Sequence, residues 1–163
     1  MRKNNTNRDL AIGRSGENRV VEIFDKLGFP SSLNDCYDSR SEFDIASEFK
    51  EQEFHTEVKL DLYANKSGNI AIEVFNPQSG KHSGLNITKA HFWVHIVDKP
   101  YLTTVTKLKE YTEKNKPKRI IERGGDGNAR LFLYPIPQII PDIFFPMDES
   151  EEFRQLIIAL LST

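Results

Sequence analysis

Asp44, Glu57 and Lys59 carry the clearest chemical signal in the chain. Residues 42–49 and 53–60 alternate polar and apolar side chains, which predicts two half-buried strands joined at Lys50-Glu51. With a two-residue turn, residue i faces residue 101 − i, and Asp44 stands directly across from Glu57. Side chains alternate along strands, so Asp44, Glu53, His55, Glu57 and Lys59 share one face. Phe43, Ile45, Phe49, Phe54, Val58 and Leu60 fall on the other, ready to pack on a helix. Carboxylates about 5 Å apart repel by roughly 3 kcal/mol at an effective dielectric near 20. A divalent cation removes that penalty, and two carboxylates with waters and a phosphate oxygen suit Mg²⁺. Lys59 adds a positive charge on the same face. The competing reading is a solvent-facing hairpin whose charges splay into water.

Two further acids bear on the choice. Glu17 precedes Val20, Phe24 and Leu27 at helical spacing, so it lies on the apolar stripe of a helix predicted over residues 14–27. A carboxylate there either meets a partner, such as a cation-binding sheet face, or is a first-turn acid favoured by the helix dipole. In the strand predicted over residues 70–75, Glu73 points away from Ile72 and Val74, toward the polar face or the surface. The loop and turn after it hold Lys81, His82, Ser83, Gly84, Thr88 and Lys89, with hydroxyls, cations and close backbone suited to a phosphate oxygen.

The elements that position these groups fit one domain of 163 residues, with 38% hydrophobic and 28% charged side chains. A short polar strand or loop is expected over 31–38, a helical turn over 87–90 and a buried strand over 92–97. A helix follows over 103–115, then a hairpin of 119–122 and 130–134 around Gly124-Gly125-Asp126-Gly127. After a proline-interrupted segment over 135–146, a final helix over 150–161 carries Phe153, Leu156, Ile157, Leu160 and Leu161, which either close the core or pair two copies as a homodimer. Helix, strand meander, helix and strand make an α/β (α+β) single domain. The lone cysteine, Cys36, excludes an internal disulfide and a cysteine-built zinc site, so a reducing cytoplasm is expected, a host's if the chain is phage-encoded. The longest apolar run, residues 156–161, is too short to span a membrane. The net charge of −2 conceals segregation. Residues 35–57 hold 8 acids and 2 bases, residues 107–130 hold 8 bases and 4 acids, and the first nineteen residues are basic. Basic segments beside an acidic centre suit a nucleic-acid backbone, and a solvated surface is the plainer account.

An acid on the first helix, Asp44, a hairpin and Glu57-Val58-Lys59 together resemble the PD-(D/E)XK nuclease superfamily. Gly13-Arg14-Ser15-Gly16-Glu17 and the helix ending Lys26-Leu27-Gly28-Phe29 are similar to its Holliday-junction-resolvase-type members. Gly68-Asn69-Ile70-Ala71-Ile72-Glu73, Thr88-Lys89-Ala90 and Trp93 are similar to small phage-encoded nucleases. Phe43, not proline, precedes Asp44, at a position where the group often lacks the motif's proline. The resemblance implies a restriction-endonuclease-like core over residues 13–97, a central mixed β-sheet with an N-terminal helix and flanking helices. Residues 98–163 then add accessory helices and a hairpin. It further implies a metal-dependent DNA endonuclease, with branched or recombination intermediates among its candidate substrates. Asp44, Glu57 and the Val58 carbonyl then ligate Mg²⁺, with Mn²⁺ able to substitute. Lys59 orients or activates the attacking water, and Glu17 completes the cluster through a water or a second metal. Glu73, Ser83, Lys89, Lys118, Arg119 and Arg123 are the substrate-binding candidates. A non-catalytic nucleic-acid-binding or protein-interaction module with the same fold is the alternative.

Overall fold

Helix α1 (Lys3–Lys26) opens the computed structural model, which describes residues 3–35, 42–124 and 128–163, with side chains from residue 11 onward. It starts well before the expected residue 14. Its C-terminus is a Schellman cap. Gly28 sits at φ 82, Phe29 N donates to Phe24 O at 2.9 Å, and the two rings meet edge to face. A six-stranded sheet follows the order β1-β2-β3-β6-β7-β10. Its strands are β1 (Ser31–Leu33), β2 (Ile45–Phe49), β3 (Gln52–Leu60), β6 (Phe92–Ile96), β7 (Pro100–Thr104) and β10 (Phe145–Pro146). β3 and β6 run parallel and the other neighbours antiparallel, so the central sheet is mixed.

The third predicted strand leaves this sheet. β4 (Asn69–Asn76) belongs to a second, antiparallel sheet of order β5-β4-β9-β8, with β5 (Lys81–His82), β8 (Arg119–Gly124) and β9 (Ala129–Pro135). The expected hairpin is therefore present as β8–β9, and residues 125–127 of its turn lie outside the described residues, as do Cys36 and the rest of 36–41. Five α-helices complete the described chain, the others being α2 (Ala64–Ser67), α3 (Val105–Lys114), α4 (Ile136–Ile143) and α5 (Glu151–Leu161).

The central sheet is covered on both faces. On one, Val20, Phe24 and Leu27 of α1 and Phe153 and Ile157 of α5 pack on Ile45, Phe54, Val58, Phe92, Val94 and Ile96. On the other, Trp93 meets Ile70, Ile72 and Val74 of the second sheet and the apolar faces of α3 and α4. β6 is buried along its whole length, which explains its continuous apolar sequence. α5 thus closes the core. The segment after residue 97, expected to be accessory, supplies β7 and β10 to one sheet and β8 and β9 to the other.

Several local expectations change. Residues 100–104 form a strand that pairs with β6, and α3 starts only at Val105, capped by Thr104 accepting from Lys107 N. The helical turn falls at Gly84–Asn86, ahead of 87–90. The proline-rich segment holds α4, where Pro137 occupies the first turn and needs no amide partner. Phe43 leaves the α1 face. β2 begins only at Ile45, so strand alternation does not govern Phe43, and its ring stacks on His55 at 3.7 Å.

Candidate active site

The hairpin positions the first two acids. Lys50 and Glu51 both take positive φ, 50 and 63, as a two-residue turn with the twist of the strands requires. The register runs from Phe49↔Gln52 to Ile45↔Thr56, the expected pairing. One residue further, Asp44 N donates to Thr56 O at 3.0 Å, and Asp44 Oδ2 accepts from Val58 N at 2.7 Å. The Asp44 carboxylate thus takes over where the β2 ladder ends. An extended residue directs its amide and carbonyl to the same strand edge, so the Val58 carbonyl opens on the Asp44 side.

Glu57 follows on the opposite face from Val58. It is only 8% exposed, beside Trp93 in the parallel register, and its Oε1 holds Lys59 Nζ at 2.8 Å. Burial pushes the Glu57 carboxyl above its ordinary value, Asp44 and Glu73 push the same way, and Lys59 opposes them. Burial pulls the Lys59 ammonium down, but Glu57, Asp44 and Glu73 more than reverse it, and it stands above the ordinary lysine value.

Glu17 reaches the same centre from α1. The helix comes close at Gly16, where a Cβ would lie 3.1 Å from Ile96 Cδ1 and 3.5 Å from Leu60 Cβ. Half-buried, Glu17 has its carboxyl raised, first by burial and then by Asp44 and Glu57, against Arg14 and Lys59. Four acids, Glu17, Asp44, Glu57 and Glu73, therefore act on one lysine. Glu73 comes from β4, at a bulge between Glu73 and Phe75. Gly84 packs so tightly on it that a Cβ would sit 2.3 Å from Glu73 O.

The remaining candidates are placed unevenly. Ser83 joins the Glu73 strand, its N donating to Val74 O at 3.3 Å and its buried Oγ without a hydrogen-bond partner. Lys89 is exposed and ion-paired to Glu42 at 2.6 Å, where Lys89 N and Thr88 Oγ1 also hold the Glu42 carbonyl. Lys118, Arg119 and Arg123 are exposed on or beside β8, two strands from β4, and are not brought into the acidic cluster. Arg119 faces Leu133, which faces Ala71, so it lies on the same side of the second sheet as Glu73. His55 turns to Glu53, at 2.5 Å, and to Phe43. Among the described residues, no three His, Cys, Asp or Glu side chains are arranged to hold a metal ion by themselves.

Asp61 and His95 escape the sequence reading. His95 is fully buried and bonded to Asp61 and to Trp93. Their pairing depends on β6 lying beside β3, which nothing local to either residue signals. No helix among the described residues is long and apolar enough to cross a membrane. No family model matches the sequence, and no curated protein matches it.

Proposed function

We propose that the chain is a Mg²⁺-dependent endodeoxyribonuclease, with Mn²⁺ able to substitute, that hydrolyses phosphodiester bonds. The observation that carries this reading is Asp44 and Glu57 brought together where the β2–β3 ladder ends, with Glu17 and Glu73 closing in against the cations Lys59 and Arg14. So much uncompensated negative charge around a buried carboxylate is costly without a counter-ion. The donors fit a hard divalent cation. Asp44, Glu57 and the Val58 carbonyl offer oxygen only, and Mg²⁺ keeps waters and substrate oxygens in its remaining positions. When bound, such an ion polarises a phosphate oxygen and makes a water more acidic.

The chain's own groups supply the rest. Lys59, raised above the ordinary lysine value by Glu57, Asp44 and Glu73 against its burial, brings charge and hydrogen bonding to orient or activate the attacking water and to stabilise charge on the phosphate. Glu17, its carboxyl raised, is a stronger proton acceptor than an ordinary glutamate. Arg119, on the Glu73 side of the second sheet, stands two strand spacings, about 10 Å, from β4. It and its exposed neighbours Lys118 and Arg123 suit phosphates a few nucleotides from the scissile one. Branched or recombination intermediates are the substrates to try first.

Labelled linear, nicked, branched and single-stranded DNA incubated with the protein and Mn²⁺ tests the reading. Cleavage that stops with chelator is expected, and Glu57→Ala or Lys59→Ala should abolish it without unfolding the protein. Wild-type cutting by both variants overturns the assignment. The Glu57–Lys59 ion pair favours one second reading, a binding module in which lysine takes the place of a cation. Calorimetric Mn²⁺ titration separates the two, because the module has no binding to lose on Asp44→Ala.

A further inference from the structure

Two buried rings and a half-buried carboxylate beside the acidic cluster form one hydrogen-bonded chain. Trp93 Nε1 donates to His95 Nδ1 at 3.3 Å, and His95 Nε2 meets Asp61 Oδ2 at 3.0 Å. An indole N–H only donates, so His95 Nδ1 is bare and its proton sits on Nε2, pointing at Asp61. Trp93 and His95 are fully buried. The same Asp61 oxygen accepts from Ala71 N at 2.9 Å. One carboxylate oxygen therefore joins the end of β3, strand β6 and strand β4.

Both ends of this chain meet the proposed catalytic groups. Lys59 Nζ lies 5.9 Å from the centroid of the Trp93 ring, within cation–π range. Glu57 faces Trp93 and Lys59 faces His95 in the parallel register. At the other end, Ala71 precedes Glu73 by two residues on the same face of β4. A lysine with only a carboxylate for company collapses onto it, and a fixed ring face offers a second attraction.

We infer that Asp61, His95 and Trp93 are positioning residues for the acidic site. The chain fixes the indole beside Lys59 and ties the strand of Glu73 to the strand of Glu57 and Lys59. This inference rests on the nuclease reading above.

The test is steady-state cleavage in Mn²⁺ of whichever DNA the wild type cuts, using Asp61→Ala, Asp61→Asn, Trp93→Phe and the Asp61→Ala/Trp93→Phe double variant. Asp61→Ala and Trp93→Phe should each lower kcat by about tenfold or more, with KM for DNA changed by less than about threefold. The double variant should lose no more than its worse single, because both changes break one chain. Asp61→Asn, whose amide oxygen accepts both bonds, should stay within about threefold of wild type. Trp93 is the only tryptophan, so its emission should shift in Asp61→Ala and not in Asp61→Asn. If Asp61→Ala does not fold, Trp93→Phe and Asp61→Asn still carry the comparison. Wild-type kcat in Trp93→Phe, losses confined to KM, or losses that multiply in the double variant overturn the positioning role and leave the nuclease reading standing. Absence of cleavage by the wild type on every DNA overturns both.

Discussion

Replacing Glu17 with glutamine should stabilise the cation-free protein and destabilise it, relative to wild type, once a divalent cation is supplied. The substitution keeps the shape and removes one charge from the cluster. A like charge about 6 Å away costs roughly 3 kcal/mol at an effective dielectric near 20. Glu17 feels Asp44 and Glu57 in that sense, but Arg14 and Lys59 in the other, and it is only half-buried. Solvent screening and this cancellation reduce the net gain to about 0.5–1 kcal/mol. For a chain of this size that is a rise of about 1–4 °C in Tm. The effect has a defined pH course. A carboxyl held above its ordinary value of 4.5 penalises the folded state fully at pH above the raised value. The penalty fades as pH falls through that value and is gone below about 4.5, and the advantage of the variant goes with it.

A bound cation reverses the order. At a hundred times Kd, Mn²⁺ stabilises the wild type by about 2.7 kcal/mol, while a variant that binds tenfold more weakly gains about 1.4 kcal/mol. The gap of about 1.3 kcal/mol exceeds the initial advantage. Thermal or urea unfolding with chelator and with Mn²⁺, at neutral pH and near pH 4, measures all four states. A variant less stable than wild type in chelator, or an advantage that persists unchanged near pH 4, refutes the electrostatic reasoning. A gap that Mn²⁺ does not alter removes Glu17 from the cation site.

Two further outcomes follow from the backbone. Lys50→Asn with Glu51→Gly should raise stability by about 1–2 kcal/mol in chemical denaturation, because both residues occupy left-handed conformations that Asn-Gly adopts readily, and DNA cleavage should not change. Gly84→Ala should cost at least about 2 kcal/mol, since the position has φ 51 and the new Cβ meets Glu73 O at 2.3 Å. Mn²⁺ affinity read by calorimetry should weaken with it as the Glu73 strand shifts.

The hairpin was legible in the sequence because its pairing is decided locally. A two-residue turn permits one register, and side-chain alternation then assigns Glu57 and Lys59 to one face, while Asp44, one residue ahead of β2, joins them through its bond to Val58 N. The Glu17 stripe was legible for the same reason, through helical periodicity. Phe43 was misassigned because alternation was carried past the strand's end, where Asp44 bonds to Val58 N and the ladder stops. α4 was hidden by its two prolines: Pro137 sits in the first turn, which tolerates it, whereas Pro141 lies inside the helix, where periodicity alone predicts a break.

By itself, then, the sequence determined the α/β class, the hairpin register and which acids could face one another. Only the tertiary structure decided that β4 pairs with β9 in a second sheet, that β3 runs beside β6, and that Asp61, His95 and Trp93 form one hydrogen-bonded chain. Turn geometry and side-chain period act over a few residues, and the chain announces them. Pairing between strands some sixty residues apart, as in Ala71↔Leu133, is settled by burying apolar faces that many arrangements could bury, and the winning arrangement exists only once both sheets have packed.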